Sequence, residues 1–290
     1  MRSIAKKLLS ALLALALVCG LAAAAGAESE TDAKKLVLLG DSIPAGEGAS
    51  DPSKSYAKLL AAQGCDVANF AVGGHKADDL LAVLAENEDA RTAIGRADFI
   101  GVSIGGNDLL ASNVITLVLR LLARKDTRTL DKYIEAFREK FTRIVSELRE
   151  LNGDAVLIAQ TLYNSMEDVP LVGSAYNIAV AKLNQVYYDY LAEHPGAYVI
   201  ADVYGAFKGR GGLIHPDRLH PSDEGHAMIA RVLTAAMEGR RLALEPVDTA
   251  QPNFFRRIII FFRALVNYMR YWLTQMSPWA MLKKTVSLIF

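Results

Sequence analysis

The stretch Leu36-Val37-Leu38-Leu39-Gly40-Asp41-Ser42-Ile43 decides how this chain reads. Four consecutive apolar residues closed by a glycine are too short for a helix and fit a strand buried on both faces. Gly40 permits a tight turn, which delivers Asp41 and Ser42 to the strand's carboxyl end. Working outward, the same grammar repeats. Helical patterns are expected at 56–63, 77–85, 133–151, 176–193 and 222–237. Strand-like runs fall at 66–72, 99–104, 156–161 and 198–202, the first two closed by Gly73-Gly74 and Gly105-Gly106. Asn152-Gly153 stops the long helix, and Asp223 and Glu224 sit in the first turn of the last one, where the helix dipole favours anions. Five buried strands separated by helices imply an α/β fold with a parallel sheet covered on both faces.

In such sheets ligands bind beyond the carboxyl ends of the strands, at a switch in strand order. Ser42, Gly74 and Asn107 each follow a different expected strand at that end. A serine hydroxyl is a weak nucleophile until a base takes its proton. His220 is the candidate base, because Asp217 lies three residues before it and can orient the imidazole, while Pro221 stiffens the loop. His215 precedes Pro216 without an acid at that spacing, and His226 falls inside the last helix, where a surface or packing role fits. Backbone amides at Ser42 and Gly74 and the Asn107 side chain are candidate oxyanion donors. Taken singly, each residue has an ordinary alternative. Asp41-Ser42 and Asn107-Asp108 could cap helices, Gly73-Gly74 could be a plain turn, and His220 a loop histidine. No Gly-x-Ser-x-Gly surrounds Ser42, so the α/β-hydrolase elbow is not indicated.

Together, Gly40-Asp41-Ser42-Ile43, Asn69-Phe70-Ala71-Val72-Gly73-Gly74, Ile104-Gly105-Gly106-Asn107-Asp108 and Asp217-Arg218-Leu219-His220-Pro221 resemble the four blocks of the SGNH superfamily of GDSL-type lipases and acylhydrolases. They come in the family's order. The resemblance implies a flavodoxin-like three-layer α/β/α fold with a five-stranded parallel sheet, and ester hydrolysis without metal or cofactor. It assigns Ser42 as nucleophile, His220 as base and Asp217 as its partner, with the Ser42 amide, Gly74 and Asn107 as oxyanion donors. Leu162-Tyr163-Asn164 is similar to the secreted, lipase-like branch found in Gram-positive bacteria. Ile43 departs from the family's leucine. Acyl esters of lipid or lysophospholipid type are the expected substrates. A carbohydrate O-acetyl esterase is the alternative, and a non-catalytic surface binder the third reading.

The rest of the chain frames that core. Residues 1–27 read as a secretory signal: Arg2, Lys6 and Lys7 precede an apolar run, and Ala25-Gly26-Ala27 offers small residues for cleavage. Cys19 lacks a lipobox. Cleavage would leave Cys65 as the single thiol, read as a small core residue. All 32 acidic residues lie between Glu28 and Asp248, against 23 basic ones, so the 28–245 domain is acidic and a poor fit to nucleic acid. Asp78, Asp79, Glu86, Glu88 and Asp89 read as a solvated face rather than a metal site. Gly209-Arg210-Gly211-Gly212 is expected to form a mobile rim over the site. After a linker at 246–253, residues 254–290 carry no acid. Arg256, Arg263, Asn267, Arg270, Thr274 and Ser277 fall on one helical stripe beside a wide apolar face, which suits a helix lying in an anionic membrane surface. Helices packed on the acidic body are the alternative.

Overall fold

Strand β1 (Lys35–Gly40) forms from the apolar run, and its residues Leu36, Val37, Leu38 and Leu39 are almost wholly buried. The computed structural model describes residues 33–111, 127–170 and 172–245, together with 259, 262, 263 and 266. The expected signal segment, the linker and most of the tail lie outside these residues. Among the described residues no helix is long and apolar enough to cross a membrane.

Four further strands flank β1: β2 (Asp66–Asn69), β3 (Phe99–Ser103), β4 (Val156–Gln160) and β5 (Val199–Ala201). All pairings are parallel, in the order β2-β1-β3-β4-β5. The chain steps outward from β1 to β2 and then crosses back to β3 on the other side. The reversal opens a crevice between the carboxyl ends of β1 and β3. Gly40 pairs with Ser103 at that point. Its φ of 129°, and the collision a Cβ would make with the Ser103 carbonyl, leave no residue but glycine there.

Helices in chain order are α1 (Ser42–Ala45), α2 (Tyr56–Ala62), α3 (Ala77–Glu86), α4 (Glu88–Ile94), α5 (Gly106–Ala111), α6 (Arg128–Leu151), α7 (Val172–Glu193), α8 (Val203–Phe207) and α9 (Asp223–Met237). Alternate residues of β1 point to opposite sides. Val37 and Leu39 join a core with Leu80, Leu84, Phe141, Ile144 and Leu183 from α3, α6 and α7. Leu36 and Leu38 join a second core with Tyr56, Leu60, Ile229 and Leu233 from α2 and α9. This is the expected three-layer α/β/α arrangement.

The differences from the sequence reading are local. β2 stops at Asn69 instead of running to 72, because the Asn69 side chain accepts from the Ala71 amide (3.1 Å) and donates to the Pro44 carbonyl (2.7 Å). That Asx turn redirects the chain. Helix α4 was not anticipated; Asn87 caps it by accepting from the Ala90 amide at 3.0 Å. Cys65 is half-buried against the second core rather than within it.

Candidate active site

Asp41 and Ser42 leave β1 under two constraints. The Asp41 amide donates to the Ser103 carbonyl (3.1 Å), and its carboxylate accepts from the Ile43 amide (3.1 Å), capping α1. The capping and chemical readings of Asp41-Ser42 are therefore compatible. Asp41 is the cap, and Ser42 opens the helix with its hydroxyl directed away. Asp41 is buried, and that burial pushes its carboxyl up to about 7, against hydrogen bonding from the Ile43 amide and the nearby His220 charge, which lower it.

Ser42 and His220, 178 residues apart in sequence, meet at 3.0 Å between Oγ and Nε2. The other ring nitrogen, Nδ1, lies 2.8 Å from Asp217 Oδ2. With Nδ1–H donated to the carboxylate, Nε2 is left to accept the serine proton. His220 is 2% exposed and Ser42 8%, so little water intervenes. Asp217 Oδ1 also accepts from the Leu219 amide at 2.9 Å and the His220 amide at 3.0 Å, so the loop closes on its own carboxylate. Burial opposes charge on Asp217, yet the His220 ring and these amides prevail and hold its carboxyl well below the usual carboxylate range.

The loop is fixed from outside as well. The Tyr163 hydroxyl donates to the Leu219 carbonyl (2.7 Å), and its ring stacks on Phe207. Arg218, at φ 63°, reaches Asp168 at 2.5 Å. The His215 amide donates to the His220 carbonyl at 2.9 Å.

Of the other two histidines, His215 departs from the sequence reading and His226 takes one of the two roles expected for it. His215 does have an acid: its Nδ1 lies 3.0 Å from Asp217 Oδ2, because the Asx turn folds residue 217 back toward both rings. His226 is a packing residue and wholly buried. Its Nε2 faces the Glu47 carbonyl at 3.1 Å, and burial lowers its pKa, so the ring favours the neutral form.

The expected oxyanion donors sit on neighbouring loops. Gly74 has a φ of 84° and open space around its Cα. Asn107 Nδ2 donates one hydrogen to the His75 carbonyl at 3.0 Å, which ties its amide to the Gly74 loop and leaves a second hydrogen. Asp108 Oδ2 accepts from the Ala77 amide (3.0 Å), joining the α5 and α3 starts. Neither the Ser42 nor the Gly74 amide donates to an acceptor among the described residues. The arrangement can present a hydroxyl, a base and amide protons to one carbonyl.

Sequence reasoning missed one residue at the centre. Glu47 Oε2 lies 3.2 Å from His220 Nε2, beside Ser42. The available signal was its place between Gly46 and Gly48, five residues after the serine. Other expected features resolve simply. Asp79 accepts from the Lys76 amide (2.9 Å) and Asp78 pairs with Lys140 (2.6 Å), while Glu88 and Asp89 occupy the first turn of α4. Among the described residues no three potential metal-ligating side chains cluster. The loop expected as a mobile rim is fastened: Gly209 donates to Glu167 (2.6 Å), and the Gly212 carbonyl accepts from the Ser222 hydroxyl (2.8 Å).

Residues 38–228 match the profile of the GDSL-like lipase/acylhydrolase family. The uncharacterized protein YpmR of Bacillus subtilis is 29% identical over 236 residues, 74% of this chain and 87% of that protein. The spore germination lipase LipC of Bacillus licheniformis is 27% identical over 179 residues, 59% of this chain and 77% of that protein. Among solved structures, the lipase Lip_vut3 from a goat rumen metagenome superposes with a TM-score of 0.56 at 24% identity, covering 70% of this chain and 97% of that one. Phospholipase A1 from Streptomyces albidoflavus gives 0.55 at 22%, covering 70% and 99%.

Proposed function

We propose, from the premise that this chain belongs to the GDSL-like lipase/acylhydrolase family, that it is a secreted serine ester hydrolase with Ser42 as its nucleophile. The observation that carries this reading is the unbroken relay from Ser42 Oγ through His220 to Asp217, with contacts of 3.0 and 2.8 Å. His220 Nε2 takes the hydroxyl proton as Oγ bonds to the acyl carbon, and the ester carbonyl oxygen becomes an oxyanion. The Ser42 and Gly74 amides and the free hydrogen of Asn107 Nδ2 stabilise it, each such donor contributing roughly 10²–10³ in rate. Collapse breaks the bond to the alcohol, which leaves with the proton from Nε2. Water, activated by the same nitrogen, then releases the acid and restores Ser42.

Acyl esters of lipid type are the proposed substrates, supported by the name of the lipase relative. Export is supported by the basic start, the apolar run and Ala25-Gly26-Ala27. Attraction of the tail to an anionic membrane surface is supported by the exposed Ile259, Phe262 and Val266, spaced to share one helical face. Deleting residues 253–290 is expected to weaken binding to anionic vesicles; unchanged binding would refute the membrane role.

Fluorophosphonate labelling and turnover of a p-nitrophenyl ester series test the reaction. Ser42→Ala is expected to lose both, and retained turnover would end the mechanism. Preference for longer chains supports lipid esters, whereas preference for acetate moves the enzyme to carbohydrate O-acetyl groups.

A further inference from the structure

The Glu47 carboxylate lies in the reaction centre without a part in the relay. Glu47 follows α1 and is held there by its backbone: its amide donates to the Ser42 carbonyl at 3.0 Å and its carbonyl faces His226 Nε2 at 3.1 Å. Its side chain spans the site. Oε2 is 3.2 Å from His220 Nε2, and Oε1 rests against the Cα of Gly73, where any Cβ would collide with it. Among the described residues no lysine or arginine pairs with it, and His220 becomes its ion-pair partner only when the ring is protonated. The side chain is 39% exposed, so it faces incoming substrate rather than the core.

The position has a chemical meaning. In the ester-hydrolase reading above, on which this inference rests, His220 Nε2 must hand its proton to the departing alcohol oxygen. That oxygen therefore comes within hydrogen-bond reach of the nitrogen that Glu47 Oε2 already approaches. The alcohol portion must then extend past the carboxylate. A plain alkyl alcohol would strip water from the anion and return nothing. An alcohol with a hydroxyl on the adjacent carbon would donate to it, and an alcohol bearing a phosphate or carboxylate would be repelled.

We infer that Glu47 is a specificity-determining residue that selects esters of polyhydroxy alcohols, with a free hydroxyl vicinal to the ester, and disfavours esters whose alcohol portion is anionic. Acylglycerols and acylated sugars both supply that chemistry.

The test compares kcat/KM of the full-length protein and its Glu47→Gln and Glu47→Ala variants on octanoate esters of four alcohols: glycerol, glucose, ethanol and glycerol phosphate. The wild type is expected to favour the faster polyol ester over the ethyl ester by about tenfold, the scale of one charge-assisted hydrogen bond at a partly exposed site. Whichever polyol is faster names the source, a glyceride or a sugar. Glu47→Ala is expected to bring the polyol-to-ethyl ratio towards one. Glu47→Gln keeps an acceptor but loses the charge, so it is expected to retain part of that ratio while raising the relative rate on the glycerol phosphate ester about tenfold. Ratios that stay at their wild-type values in both variants, each with an unaltered circular dichroism spectrum and melting temperature, would overturn the inference. The underlying reading is tested apart: wild-type protein whose Ser42 takes no fluorophosphonate refutes the hydrolase itself, whereas labelling with unmoved ratios refutes only the role of Glu47.

Discussion

The loop that carries His220 and the loop that carries Gly74 face the same serine but are built in opposite ways. The first is fastened on every side. Asp217 Oδ1 gathers two amides of its own loop, Tyr163 holds the Leu219 carbonyl, Arg218 reaches Asp168, and His220 is 2% exposed. The second is open. Gly73 and Gly74 are exposed, Val72 is 49% exposed, and the turn is held by the Val72 amide to the Gly40 carbonyl, the His75 amide to the Val72 carbonyl and Asn107 Nδ2 to the His75 carbonyl. Proton transfer fails when the base is misplaced by a fraction of an ångström, so its loop must be fixed before substrate arrives. Donor amides must keep their hydrogens free for a carbonyl from outside, so theirs cannot be spent internally.

Breaking the fastened loop should have the larger effect. Asp217→Asn keeps the shape of the side chain but can turn the imidazole to the wrong tautomer. The expected loss in kcat is roughly 10⁴-fold, the scale for a disarmed triad acid. Single-turnover kinetics check it, and a loss below tenfold would mean that the loop's backbone alone orients His220. The open loop should be less sensitive. Asn107→Ala removes both the proposed oxyanion donor and the tie to His75, with an expected loss of roughly 10²–10³ in kcat and little change in KM. A change confined to KM would place Asn107 in ground-state binding instead.

The same contrast explains what was legible in the sequence. The strands announced themselves because a sheet covered on both faces demands continuous apolar runs, and 36–39 and 99–104 have little else they could be. The relay was legible because Asp217 and His220 are three residues apart in one loop, and their Asx geometry is local. Glu47 was not, since a carboxylate between two glycines says nothing about which distant imidazole it will meet. His215 was misjudged for a related reason: spacing along the chain gave it no acid, but the turn at Asp217 folds the carboxylate towards both rings. α4 was missed because Asn87 reads as a stop for α3 before it reads as a cap for the next helix.

Asp41 lies behind Ser42 and offers the smallest and most specific test, because it reads the interior rather than either loop. Its carboxyl is pushed up to about 7 by burial, so the folded protein holds a proton there that the unfolded chain has released above about 4. Stability is therefore lost as pH rises from about 4 to 7, and the full cost remains above that window. His226 has the opposite sign: its lowered pKa makes stability fall as pH drops below about 6.5. Asp217 acts lower still, losing its contribution below about 4. The overlapping slopes mask one another in the wild type, but the difference between wild type and Asp41→Asn isolates Asp41. The asparagine still accepts from the Ile43 amide and cannot ionise. Its stability relative to wild type is expected to rise across pH 4 to 7 and level off at no more than about 4 kcal/mol. Urea unfolding at pH 4.5, 6 and 8 measures it. A difference that is constant across the three pH values would assign the effect to packing against Gly106, not to a buried ionisation.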